Sequence, residues 1–243
     1  NKGIGFEVLS KIPKREIFSL SLKAERSFCF DHISHYKASL LIPNIDLEAG
    51  RQDDYSPPEK GIITGLSFMP HVGFIKKNSE NSIGGFYKVA FRAMTYLPVH
   101  KQIKLCNFLK ITAIPHSKLD SVLPTKRLFA GGIDSVRAYG FKMLGPLDAK
   151  GNPKGWVKKI EYGAEIRYMY TEKIDLVAFF EGACLTQNLM GPGLGVRYKS
   201  DFGIIRADIA TPLKRRFVFN ALKKKNDPVD SPFQFYVGIG QTF

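Results

Sequence analysis

The chain has 243 residues, with 36 Lys and Arg against 22 Asp and Glu and a formal charge of +14. That length fits one large domain or two small ones, and the charge suits anionic partners such as nucleic acid, lipid headgroups or lipopolysaccharide. No run of ~18 apolar residues is present, which excludes a transmembrane helix, and the three cysteines, Cys29, Cys106 and Cys184, lie too far apart for a CxxC metal site or a disulfide framework.

The 19 Phe, 10 Tyr and 22 Gly lean towards β structure. The chain opens at Asn1 without a Met or a leader, as a processed chain or a piece of a longer one would. Ile4–Ser10 reads as a short strand. Arg15–Phe30 follows, with Phe18, Leu20, Leu22, Ala24, Phe28 and Phe30 on one face, interrupted by Arg26, and Ser19, Ser21, Lys23 and Glu25 on the other. Tyr36–Leu47 is apolar, and Pro43 predicts an edge-like bend within it. Gly50–Lys60 reads as a loop, Gly61–Phe74 as a weakly alternating strand, and Ile75–Ser82 as a polar turn.

Phe86–Leu97 sets Tyr87, Val89, Phe91, Ala93 and Leu97 against Lys88, Arg92 and Tyr96. In Lys101–Ile114, Ile103, Leu105, Leu109 and Ile111 share a face that only Asn107 interrupts. Lys158–Tyr170 separates Ile160, Tyr162, Ala164, Ile166, Tyr168 and Tyr170 from Glu161, Gly163, Glu165 and Arg167. Asp175–Leu185, Gly193–Lys199 and Gly203–Pro212 read as further strands, and Lys214–Pro232 as a long basic loop. The last strand, Phe233–Phe243, sets Phe233, Phe235, Val237, Ile239 and Phe243 against Gln234, Tyr236, Gly238, Gly240 and Thr242. Pattern counting thus gives about eleven strands and no helix.

Alternation alone fits both a soluble sandwich, apolar inside, and a transmembrane barrel, apolar outside with a polar lumen. Three features favour the barrel. Charges recur on the second face of the late strands, tyrosines (Tyr96, Tyr168, Tyr170) sit at strand ends where an interfacial girdle belongs, and the strands exceed the soluble mode of ~5–6 residues.

Paired carboxylates inside a lumen would suit acid–base work, yet nothing names a substrate. No nucleophile elbow or triad occurs, so no catalytic residue is assigned. His32 and His35 lack the cluster a metal needs. Gly191, Gly193 and Gly195 precede no helix and so form no phosphate loop. The runs Lys214–Arg216 and Lys223–Lys225 read as solvated loop, and no interleaved nucleic-acid motif accompanies them.

The stretch Lys126–Gly145, KRLFAGGIDSVRAYGFKMLG, stands apart. Gly131 and Gly132 permit a tight fold, and Arg137 carries a planar fork suited to a fixed carboxylate. Taken alone, it could equally be a surface loop with a solvated arginine. Within it, Arg127–Tyr139, RLFAGGIDSVRAY, resembles the RF-x-GG-x-x-SVRGY motif of the BamA/TamA family of outer-membrane barrel assembly proteins, the bacterial surface antigen family. Leu144–Gly155 looks like the continuation of the same loop. GAEIRY, FFEGA and IIRADIATPL resemble the family's later strands, and the terminal Phe243 its end signal. Two positions depart: Ala138 stands where the family has glycine, so the backbone there must tolerate a Cβ, and Glu181 where it has the shorter aspartate.

The resemblance is strong over 126–243 and weak before. It implies an all-β, antiparallel transmembrane barrel of about sixteen strands, of which residues 1–243 would be the C-terminal part, with the sixth-loop motif at 126–155 and POTRA domains upstream. The implied loop motif is Gly131, Gly132, Ser135, Val136, Arg137, Ala138 and Tyr139, folded into the lumen with Glu165, Glu181 and Asp208 as partners of Arg137. Phe233, Phe235, Gly238, Gly240 and Phe243 would form a weak lateral seam and terminal signal, open to a client strand by β-augmentation. The implied function is insertion or translocation of client outer-membrane proteins in the outer membrane of a Gram-negative bacterium, without cofactor, metal or nucleotide. Implied partners are membrane lipid, lipopolysaccharide, the clients, and a periplasmic or inner-membrane accessory protein reached through the POTRA domains. The alternatives are the barrel of a patatin-type hydrolase fusion and a passive porin or adhesin.

Overall fold

The computed structural model describes residues 2–12, 16–30, 35–52, 60–77, 80–148, 150–200, 203–220 and 225–239. Its thirteen strands are β1 (Lys2–Ile12), β2 (Glu16–Phe30), β3 (His35–Gln52), β4 (Gly61–Lys77), β5 (Glu80–His100), β6 (Ile103–Ala113), β7 (Lys158–Met169), β8 (Ile174–Cys184), β9 (Asn188–Ser200), β10 (Gly203–Ala210), β11 (Phe217–Asn220), β12 (Lys225–Pro228) and β13 (Gln234–Ile239). Eleven of them form one antiparallel sheet in the order β1 to β10, then β13; β11 and β12 form a separate hairpin. From β1 to β10 each strand pairs with its neighbour in sequence, as two-sided alternation favours, with a long segment between β6 and β7, and β10 then pairs with β13 across the separate hairpin. The only helical pieces described are two short 3₁₀ turns, Leu119–Ser121 and Pro124–Lys126.

The two faces of the sheet are inverted relative to a soluble protein. One face exposes Leu66, Phe74, Ile166, Leu194, Val196, Ile205 and Val237. The other buries Glu161, Glu165, Arg167, Glu181, Arg197, Arg206 and Asp208. Charged groups avoid burial unless something pairs with them, so this arrangement answers the question that alternation left open: apolar side chains face lipid and charges face a lumen.

The segment joining β6 to β7 packs against this inner face. Leu123 packs on Ala38, Leu40 and Ile42 of β3. Val122 and Leu128 pack with Phe86 of β5 and Ile114. Val136, Ala138, Tyr139 and Leu144 pack with Val177, Phe179 and Ala183 of β8, Leu189 of β9 and Ala210 of β10.

Several sequence expectations are corrected. Pro43 makes no edge: β3 runs through it and pairs it with Leu22. The interruption lies on the other side, where the β3–β4 ladder passes from Leu41↔Val72 directly to Ile45↔Phe68. Pro43 and Pro70, which have no N–H to donate, both lie in that gap. The polar turn over Ile75–Ser82 is mostly strand, since β4 runs to Lys77 and β5 begins at Glu80. Lys214–Pro232 is not one loop but holds the β11–β12 hairpin. Tyr96 belongs to no girdle: it is buried on the inner face, in register with Cys106, while Tyr168 and Tyr170 are exposed. Asn107 does face outward among apolar residues, and its amide bonds the Thr95 hydroxyl at 3.1 Å across the ladder. Gly240 and Phe243 at the chain end, and His32, lie outside the described residues.

Leu194→Arg, on the outward face of β9, is expected to weaken folding into lipid vesicles by ~2–4 kcal/mol if it lies near the midplane. Glu172→Arg, in the turn before β8, is expected to change it little. Urea titration of vesicle-folded protein compares the two, and equal effects would mean that the Leu194 face does not meet lipid.

Candidate functional site

Residues 128–156 fold as a compact unit with isolated bridges Leu128↔Trp156, Ala130↔Leu144 and Leu147↔Pro153. Its tightest part needs the glycine pair. Gly131 and Gly132 have φ of 97° and 107°, where a side chain is strained, and a Cβ on Gly131 would lie 2.5 Å from the Gly140 carbonyl oxygen. The Gly132 N–H donates to the carbonyls of Val136 (3.2 Å) and Tyr139 (2.9 Å). Ser135 accepts the Gly131 N–H at 2.9 Å and donates its hydroxyl to Glu161 on β7. These bonds turn Val136, Arg137, Ala138 and Tyr139 towards the wall, where all four are buried.

Arg137 meets three strands at once. Its Nη2 lies 2.9 Å from Glu165 Oε2 of β7 and 2.6 Å from Glu181 Oε1 of β8. Nε adds 3.0 Å to the same Glu181 oxygen, and Nη1 reaches Asp208 Oδ2 of β10 at 3.1 Å. The backbone N–H of Arg137 donates to the second Glu181 oxygen at 2.9 Å. Behind the fork, the Phe179 ring centroid lies 3.3 Å from Arg137 Cζ, a cation–π contact strengthened by desolvation. Burial works against the charge on Arg137, but Glu181, Glu165 and Asp208 outweigh it, so its pKa lies above its ordinary value.

Two wall arginines complete the cluster. Arg167 Nε donates to Glu165 Oε1 at 2.6 Å, and Arg197 Nη1 to Asp208 Oδ1 at 2.6 Å. Three guanidinium groups thus face three carboxylates, and every one of the six side chains is buried. Space comes from glycines on neighbouring strands. Gly163 lies in register with Glu181, and Gly195 with Asp208. A Cβ at these sites would fall 3.0 Å from Glu181 Cγ and 2.0 Å from Asp208 Oδ1.

The structure brings Arg137, Glu165, Glu181 and Asp208 together around one fork. It places the two departures from the family motif as well. Ala138 has no left-handed φ; its methyl fits because Gly191 faces it, and a Cβ there would lie 2.4 Å from that of Ala138. Backbone shape is therefore not what Ala138 tests; packing room is. The longer Glu181 uses its reach to hold both the backbone and the side chain of Arg137.

On the last strand, Phe233 and Phe235 are exposed, and Gly238 faces inward opposite Arg206, close to Ile133 of the loop. Gly240 and Phe243 belong to the residues not described. Arg167, Arg197 and Phe179 were not foreseen as members. A signal existed: each shares the inward parity of a predicted acid on its own or the next strand. Among the described residues, no group of three His, Cys, Asp or Glu could hold a metal.

Residues 44–243 match the Omp85 superfamily domain. The chain belongs to the Omp85 superfamily. The match begins well before the loop, so it also takes in β3 to β6, over which the sequence motifs were weak. Among solved structures, this Omp85 chain is similar to BamA from Haemophilus ducreyi lacking POTRA domains 1–3, with a TM-score of 0.56 and 11% identity. The likeness covers 96% of this chain and 61% of that one, so the chain spans about three fifths of the BamA chain it matches. At such identity the shared property is the fold: an all-β antiparallel sheet of the BamA barrel type.

Arg137→Gln leaves three buried carboxylates with two arginines and is expected to cost ~3–5 kcal/mol, the range for breaking a buried pair. Arg137→Lys is expected to fare little better, because an ammonium cannot bridge three acids in a plane. Ala138→Gly is expected to cost no more than ~1 kcal/mol. Denaturant midpoints in one lipid system rank the three, and an Arg137→Gln protein as stable as wild type would remove the cluster's structural role.

Proposed function

We propose that this chain is the C-terminal barrel part of an outer-membrane factor that inserts or translocates other outer-membrane proteins, barrels or autotransporters, without nucleotide. The single observation that carries the reading is the lumen loop held by Arg137 on β7, β8 and β10 within a superfamily match over 44–243. A passive pore gains nothing from a buried three-acid dock that fills its own lumen.

In this reading Gly131, Gly132 and Ser135 shape the loop, Val136, Ala138 and Tyr139 seat it, and Arg137 locks it to Glu165, Glu181 and Asp208. The role is structural and gating; no bond of a client is made or broken by these side chains. The last strand, with Phe233, Phe235, Gly238, Gly240 and Phe243, provides the seam. Its outer edge pairs with no strand among the described residues, and a client strand could extend the sheet there by backbone hydrogen bonds. The remaining strands of the barrel and the POTRA domains would lie upstream in the natural protein and reach a periplasmic or inner-membrane accessory protein. The barrel sits in the outer membrane, with lipid against the apolar face and lipopolysaccharide drawn to its positive charge.

Replacement of the wild-type gene by one encoding Arg137→Glu is expected to deplete folded barrels or autotransporters from the outer membrane, as repulsion expels the loop. Quantitative proteomics of purified outer membranes reads the outcome. Wild-type client levels with a stably inserted variant would overturn the docked-loop function.

A further inference from the structure

We propose that Arg216 and Asp230 form a second anchor for the loop, a clasp that makes its seating and the order of β13 one event. This deepens the assembly reading and rests on it for its purpose, though not for its geometry.

The clasp begins with the hairpin that the sequence did not reveal. β11 and β12 pair Phe217 with Pro228, which brings Arg216 and Asp230, just beyond the hairpin's open end, side by side. The Arg216 backbone N–H and Nε both donate to Asp230 Oδ2 at 2.8 Å, and Nη2 donates to Oδ1 at 2.7 Å. That fork-on-fork pair would be enough to close the hairpin. The guanidinium nevertheless does more. Nη1 donates to the Gly145 carbonyl at 3.1 Å and Nη2 to the Met143 carbonyl at 2.8 Å, both in the lumen loop. Lys142, with a left-handed φ of 59°, makes the turn just before these carbonyls. Both side chains of the pair are buried.

Tyr139 joins the two halves. Its ring lies 5.8 Å from Arg216 Cζ, and its hydroxyl donates to the Lys214 carbonyl at 2.9 Å. From β13, the Tyr236 hydroxyl donates to the Tyr139 carbonyl at 2.9 Å. The loop's hold on the chain's last segment is therefore made of Met143, Gly145 and Tyr139 on one side and Lys214, Arg216 and Tyr236 on the other. None of these is a member of the Arg137 cluster. Asp230 stands four residues before β13 begins, so any movement of the clasp is delivered to that strand through a very short tether. β13 has a sheet partner, β10, on one side only among the described residues. A strand so placed depends on what else holds it, and the clasp and Tyr236 supply that hold. A desolvated fork tolerates no half-made state, because losing one partner strands a buried charge. The clasp is thus closed or open, as a two-state coupling element must be.

The test is amide hydrogen exchange on the intact protein in lipid vesicles, comparing wild type, Arg216→Gln and Asp230→Asn. Arg216→Gln is expected to speed exchange on the order of tenfold in both residues 131–145 and β13, leaving β7 and β8 as in wild type. Asp230→Asn is expected to act in the same direction and at least as strongly, since it strands the buried Arg216 charge. Faster exchange confined to the β11–β12 hairpin would overturn the clasp, and so would a uniform rise across β7 to β10, which would mark Arg216 as a residue of general stability. Normal client levels in Arg216→Gln cells, alongside a loosened β13, would count against the assembly function and leave the clasp standing.

Discussion

Glu165, Glu181 and Asp208 are tolerable inside this protein because a guanidinium arrives from another segment of the chain to meet them. Burial of a carboxylate is costly, and the cost is recovered only where geometry and hydrogen bonds are complete. The wall supplies Arg167 and Arg197, each for part of the need. Arg137 alone touches all three acids. The loop that carries it is therefore not an ornament on a finished sheet. The inner faces of β7, β8 and β10 are built for an occupant, and that occupant is part of the same chain.

How such long charged side chains fit against one another is visible in the register. Along one inner row the residues run Phe108, Gly163, Glu181, Gly191. Along another they run Arg167, Val177, Gly195, Asp208, Tyr236. Glycines and large side chains interleave across the strands, so acids and arginines lie down over empty positions instead of standing into the lumen. The loop then descends close enough for Ala138 to touch the β9 backbone at Gly191. The alternating glycines of β9, which look like an idle repeat in the sequence, are the floor of the site.

Much of this was legible beforehand, for definite reasons. Period-two alternation marks both the strands and their parity, so the eleven strands of the main sheet and the face that each of Glu165, Glu181 and Asp208 takes could be read from the sequence, while which face turns inward needed the charge pattern and the family resemblance. The motif around Arg137 pointed to the loop. What escaped was set by contacts distant in sequence. Arg216 sits in a basic run, which normally means solvent; only the β11–β12 pairing reveals that Asp230 neutralises it. Pro43 reads as a strand breaker, yet it keeps its place because the ladder is interrupted on just one of its two sides. No local pattern carries such information.

The glycine-rich floor has a mechanical consequence. A sheet usually owes its rigidity to side chains that pack across neighbouring strands, and a glycine contributes none of that. Between β7 and β10 the wall has given up much of its own packing to make room for charges, so its resistance to bending there is borne by the loop and the ions it joins. With the loop in place this is a stiff panel. With the loop withdrawn, the same strands would bend more easily, immediately beside the last strand of the sheet.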